Sequence, residues 1–112
     1  MTSLMKATFG EYIRTLRKKQ GLTLTKLAAK LDLDSANLSK MENGIREFDE
    51  KKLKELAFIF QLDFEELRNE YITDQIGKQI YETNCSHELL AVAEEKAEYR
   101  RLKNQNTKKE RV

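Results

Sequence analysis

With 112 residues, 36% of them charged and 39% hydrophobic, the chain has the make-up of one modest folded domain, not of a disordered polypeptide. It contains no proline, four glycines and one cysteine, so helices meet few breakers and an internal disulfide is excluded. The formal charge of +2 is unevenly spread: residues 1–62 hold 12 Lys/Arg against 8 Asp/Glu, and residues 63–112 hold 9 against 11. The N-terminal part is therefore the better partner for a polyanion.

The opening "MTSLMKATFG" lacks the basic-then-apolar pattern of a signal peptide. No window approaches the about 18 apolar residues that a membrane span needs. With the lone Cys85, these features predict a soluble cytoplasmic protein.

In chain order, residues 10–20 read as a first helix, with Ile13, Leu16 and the stem of Arg17 on one face. Arg14, Lys18 and Lys19 surround that face, and Gly21 stops the helix. Thr23 caps a second helix through about Leu31, with Leu24, Leu27, Ala28 and Leu31 inward. A polar turn, Asp32-Leu33-Asp34, follows; Asp32 suits a left-handed backbone, Leu33 points inward, and Asp34 caps the next helix. That third helix covers residues 35–42, buries Leu38 and Met41, and ends at Asn43-Gly44.

After a loop over residues 45–48, Asp49 caps a fourth helix to about Phe60, with Leu53, Leu56, Ala57 and Phe60 as its core stripe. Lys51, Lys52 and Lys54 read as its solvated face. Asp63 caps a fifth helix to about Thr83, carrying Phe64, Leu67, Tyr71, Ile72, Ile76 and Ile80, with Gly77 as its weak point. Asn84-Cys85-Ser86 breaks the pattern. Ser86 starts a sixth helix with Leu89, Leu90, Ala93, Ala97, Tyr99 and Leu102. The closing "NQNTKKERV" reads as a polar, frayed tail.

Two short helices joined by a three-residue turn, inside a small bundle, describe a helix-turn-helix. The second helix of such a corner can protrude into the major groove, which admits one helix. Many helical bundles contain similar corners without reading anything. The resemblance of residues 21–67, "GLTLTKLAAKLDLDSANLSKMENGIREFDEKKLKELAFIFQLDFEEL", is more specific. With Gly21-Leu22-Thr23, Leu27-Ala28, Leu31, Leu33, the run Leu38 to Gly44, Leu53, Leu56-Ala57 and Leu62 at matching spacing, it resembles the Xre/Cro-type, phage-repressor-like helix-turn-helix regulators.

That resemblance implies an all-α fold: a five-helix lambda-repressor-like bundle with an additional C-terminal helix forming a dimerisation region. It implies double-stranded DNA as partner, base reading by Ser35, Ala36 and Lys40, and backbone contacts by Asn37, Ser39, Asn43, Arg46, Arg14 and Lys18. Arg17 and Glu42 would form a structural ion pair. Three positions depart from the family pattern. Leu24 stands where a phosphate-holding Gln is usual, leaving the backbone amides of that helix start; Asp32 replaces the turn Gly; Phe48 replaces a loop Pro.

The expected domains are residues 1–68 for DNA binding, residues 69–104 for dimerisation through Tyr71, Ile72, Ile76, Ile80, Leu89 and Leu90, and a basic flexible tail at 105–112. An apolar stripe without an internal partner usually buries itself against a second copy. The C-terminal stretch resembles regulators tied to restriction–modification genes, related to their controller proteins. A DNA-binding antitoxin, with the C-terminal helices on a toxin, and an interaction module without DNA remain as other classes. His87 and Cys85 alone cannot make a zinc site, which takes four ligands. Neither a nucleophile constellation nor a phosphate loop is present, so no enzyme activity, metal, cofactor, small-molecule ligand or membrane association is expected.

Overall fold

Each of the six helices among the described residues begins where a short polar side chain turns back to cap a backbone N–H. A computed structural model describes residues 6–110, with side chains for residues 6–105. The helices are α1 (Phe9–Lys19), α2 (Leu24–Lys30), α3 (Ser35–Glu42), α4 (Glu50–Phe60), α5 (Phe64–Glu82) and α6 (His87–Glu110). Thr8, Thr23, Asp34, Asp49, Asp63 and Ser86 accept from the N–H three residues on, at 2.7–3.3 Å. At Thr8 the cap is reciprocal, because Glu11 Oε1 accepts from the Thr8 N–H at 2.9 Å.

The ends of α1 to α5 are equally local. Gly21, Asp32, Gly44, Gln61 and Asn84 all take positive φ, between 53° and 78°. Asp32 therefore fills the left-handed turn position where glycine is the easier choice. Gln61 takes that conformation without any sequence signal for it.

The core is built from Phe9 and Ile13, Leu27, Ala28 and Leu31, Leu38 and Met41, the α4 stripe Leu53, Leu56, Ala57 and Phe60, and Leu67 of α5. Phe48 from the loop joins it, and Leu24 and Leu33 pack against it. Phe9 was outside the spacing-based core because α1 starts one residue earlier than expected.

Lys52 corrects the expectation of a solvated lysine face on α4. Its ammonium donates to the Leu31 carbonyl, and its side chain is 13% exposed. A cation at a helix C-terminus satisfies an orphan carbonyl and meets the favourable end of the dipole.

The described residues up to Gln75 form one compact unit and those from Ile76 a second. The first unit thus ends beyond the expected boundary at residue 68. Tyr71 explains why: its ring meets Phe9 edge-on at 5.2 Å, Phe9 meets Phe48 at 5.3 Å, and its hydroxyl donates to the Phe48 carbonyl at 2.8 Å. Gln75 also donates to Glu47. Tyr71, expected at a dimer contact, is thus a half-buried core-edge residue of the first unit.

In the second unit, Asn84 turns the chain and Cys85 N–H donates to the Ile80 carbonyl at 3.0 Å. Ile80, Cys85, Leu90 and Ala97 are half-buried, whereas Ile76, Tyr81, Leu89, Val92, Tyr99 and Leu102 stand in solvent. The α6 backbone is helical to Glu110, into the stretch expected as a basic flexible tail at 105–112. No glycine or proline interrupts residues 87–110, which explains that persistence; residues 111 and 112 lie outside the described residues. Among the described residues there is no strand, and no helix is long and apolar enough to cross a membrane.

Candidate nucleic-acid interface

The outer face of α3 follows directly from which of its side chains the core consumes. Leu38, Met41 and Glu42 are buried. Ala36 and Lys40 are exposed, and Ser35, Asn37 and Ser39 are half-exposed. The face is short-armed, with Lys40 as its one long donor, so the helix backbone can approach a groove closely. Lys40 also anchors the following loop, since its carbonyl accepts from Ile45 N–H at 2.8 Å and Arg46 N–H at 3.3 Å.

Glu42 is 2% exposed and meets two arginines of α1. Arg17 grips it bidentately, Nε to Oε2 at 2.8 Å and Nη2 to Oε1 at 3.0 Å, and also donates to the Leu22 carbonyl at 3.1 Å. The Glu42 carboxylate is the first cause of the upward shift in the Arg17 pKa. This pair secures α3 to α1 and to the loop before α2.

Arg14 joins the same carboxylate, Nε to Oε1 at 3.3 Å, and its Nη2 donates to Asn43 Oδ1 at 2.5 Å. One buried carboxylate thus faces two guanidiniums. The cluster keeps a positive excess, displayed by Arg14, whose side chain is 34% exposed against 11% for Arg17. The second arginine was not readable from spacing, because it depends on how α1 crosses α3. Gly10 permits that crossing: a Cβ there would lie 2.7 Å from the Met41 carbonyl oxygen and closer still to that of Glu42.

At the other end of α3, Asp34 Oδ1 caps Asn37 N–H at 2.7 Å. Asn37 Nδ2 donates to Asp34 Oδ2 at 3.2 Å, and Arg46 Nη1 donates to Asn37 Oδ1 at 2.7 Å. Asn43 Nδ2 donates to Ser39 Oγ at 3.5 Å. Of the residues expected to meet DNA, the structure therefore gathers Ser35, Ala36, Asn37, Ser39, Lys40, Asn43, Arg46 and Arg14 on and around α3. Lys18 is exposed on α1. At the start of α2, Leu24 packs against the core, and the Thr23 hydroxyl takes the Lys26 N–H at 3.1 Å.

A groove-sized helix with short outward side chains and cations at both ends suits a polyanionic duplex. The helix-turn-helix family model matches residues 13–67, the stretch from α1 to the start of α5. The chain is 33% identical over 98 residues to the HTH-type transcriptional repressor RghR of Bacillus subtilis (strain 168). That match spans 87% of this chain and 70% of RghR. No solved structure matches the chain significantly. The chain belongs to the helix-turn-helix family of DNA-binding transcriptional regulators.

Proposed function

We propose that the protein is a repressor that occupies its operator as a homodimer, each subunit laying α3 in the major groove of one half-site. The observation that carries this reading is the α3 face, where Ala36 and Lys40 are exposed and Ser35 half-exposed, with Arg46 held at Asn37 and Arg14 at Asn43. A two-fold dimer sets its half-sites about 34–36 Å apart on one DNA face, so the operator is palindromic. The exposed Leu89, Val92 and Tyr99 of α6 support dimerisation, since they fall on one helical stripe without cover. In the same second unit Ile80 and Leu90 are half-buried and Ile76 is exposed, and in the first unit Ile72 is half-buried. Repression is read from the likeness to RghR, and control of restriction–modification genes from the resemblance of the C-terminal stretch.

The test is selection of bound sequences from a random duplex pool by the full chain, followed by Lys40→Ala. Lys40 can donate to guanine O6 and N7, so its loss should relax the preference at one base pair per half-site, worth about 1–3 kcal/mol. An unchanged selected sequence would remove Lys40 from the base readers. A folded protein with no salt-sensitive duplex binding would defeat the whole reading. A stoichiometric protein companion on purification from the host would favour the antitoxin reading, in which the same α6 stripe covers a toxin.

A further inference from the structure

Two asparagines beside α3 have both ends of their side-chain amides occupied by the chain's own groups. Asn37 is anchored through Nδ2 to Asp34 and holds Arg46 through Oδ1, at 3.2 and 2.7 Å. Asn43 is anchored through Nδ2 to Ser39 and holds Arg14 through Oδ1, at 3.5 and 2.5 Å. In each case the amide nitrogen is tied to α3 or its cap, and the oxygen faces a guanidinium. Each amide keeps one N–H beyond these bonds, while its oxygen is turned to the guanidinium.

The arginines keep more. A guanidinium carries five N–H donors. Arg46 uses one of them and Arg14 uses two, Nε on Glu42 and Nη2 on Asn43. Arg17, by contrast, is committed to Glu42 and the Leu22 carbonyl and is nearly covered. Asn37 and Asn43 lie six residues apart, about 9 Å of helical rise, so the two held cations bracket α3 lengthwise. Arginine side chains lose much rotamer freedom when fixed, and fixing them before binding removes that cost from the binding step.

We propose that Asn37 and Asn43 are positioning residues: each holds one arginine beside α3, so that preordered guanidiniums meet the DNA backbone. The asparagines act through Arg46 and Arg14 and do not themselves contact phosphates. This rests on the DNA-binding reading above and adds how the docking depth of a short-armed helix is set.

Two measurements on the full chain test it. In the free protein, 15N relaxation of arginine Nε should show Arg46 and Arg14 ordered relative to exposed Arg100, and Asn37→Ala should release Arg46 alone. An Arg46 as mobile as Arg100 in the wild type would overturn the proposal without any DNA present. In binding to a random-sequence duplex, Arg46→Ala should lower the slope of log affinity against log salt by about 1. Asn37→Ala should weaken binding roughly tenfold, the scale of a lost hydrogen bond to a charged group. The double variant should bind no worse than Arg46→Ala. Additive losses would mean that Asn37 touches phosphate itself, and the bracket would be abandoned. A wild type that binds no duplex overturns the regulator reading instead, a failure told apart by the arginine ordering of the free protein.

Discussion

At the residue scale, the buried Glu42 is the point on which the α1–α3 junction depends. Replacing one member of a buried ion pair leaves the partner charge uncompensated, a larger loss than the net worth of the pair. Glu42→Gln should therefore destabilise the protein by about 3 kcal/mol in urea unfolding, the lower end of the about 3–5 kcal/mol for breaking a buried pair, because Arg14 keeps solvent access. Arg14→Ala should cost under about 1 kcal/mol, as for other half-exposed pairs. Equal losses for the two variants would show that the cluster is not organised around the carboxylate. Glu11 gives a pH signature at the same scale. The Thr8 backbone and hydroxyl hydrogen bonds lower its pKa from the ordinary value of 4.5. A carboxylate with a depressed folded-state pKa adds stability that is present above the unfolded value and is lost as pH falls through the folded one. Thermal melts should show the wild type losing ground to Glu11→Ala as pH drops through and below 4.5; parallel curves would mean that the capping box contributes nothing.

At the scale of elements, the path of α1 over α3 depends on one missing methyl group. Alanine is ordinarily the better helix former, by about 1 kcal/mol over glycine. At Gly10 its Cβ would run into the carbonyls of Met41 and Glu42, which are backbone and cannot swing aside. Gly10→Ala should therefore destabilise, by about 1–3 kcal/mol as for overpacking, and a stabilised variant in calorimetry would refute the close crossing. Element starts and stops were largely legible beforehand: Thr23, Asp34, Asp49, Asp63 and Ser86 as caps, Gly21, Asp32 and Gly44 as stops. Capping is a contact over three residues, so a linear reading can see it. The Lys52 contact with the end of α2 was not legible, since it joins positions 21 residues apart.

At the scale of the molecule, Tyr71 and the α6 stripe make opposite predictions. Tyr71→Phe should lower stability by about 1 kcal/mol through loss of the hydrogen bond to the Phe48 carbonyl, with self-association unchanged. Leu89→Glu with Val92→Glu should shift sedimentation toward monomer and leave the first unit folded. A reversed pattern would place the proposed dimer contact at Tyr71 and not on α6. Both residues sit at helical spacing in apolar stripes, and periodicity cannot say which stripe the chain covers with its own atoms. The helix count, the caps, the helix-turn-helix corner and the outward identity of Ser35, Ala36 and Lys40 were written in the order of residues, because each follows from neighbours within a turn or two. The extension of the first unit to Gln75, the second arginine on Glu42 and the bracketing of Arg46 and Arg14 were set by packing, because they join groups that only folding brings within hydrogen-bond reach.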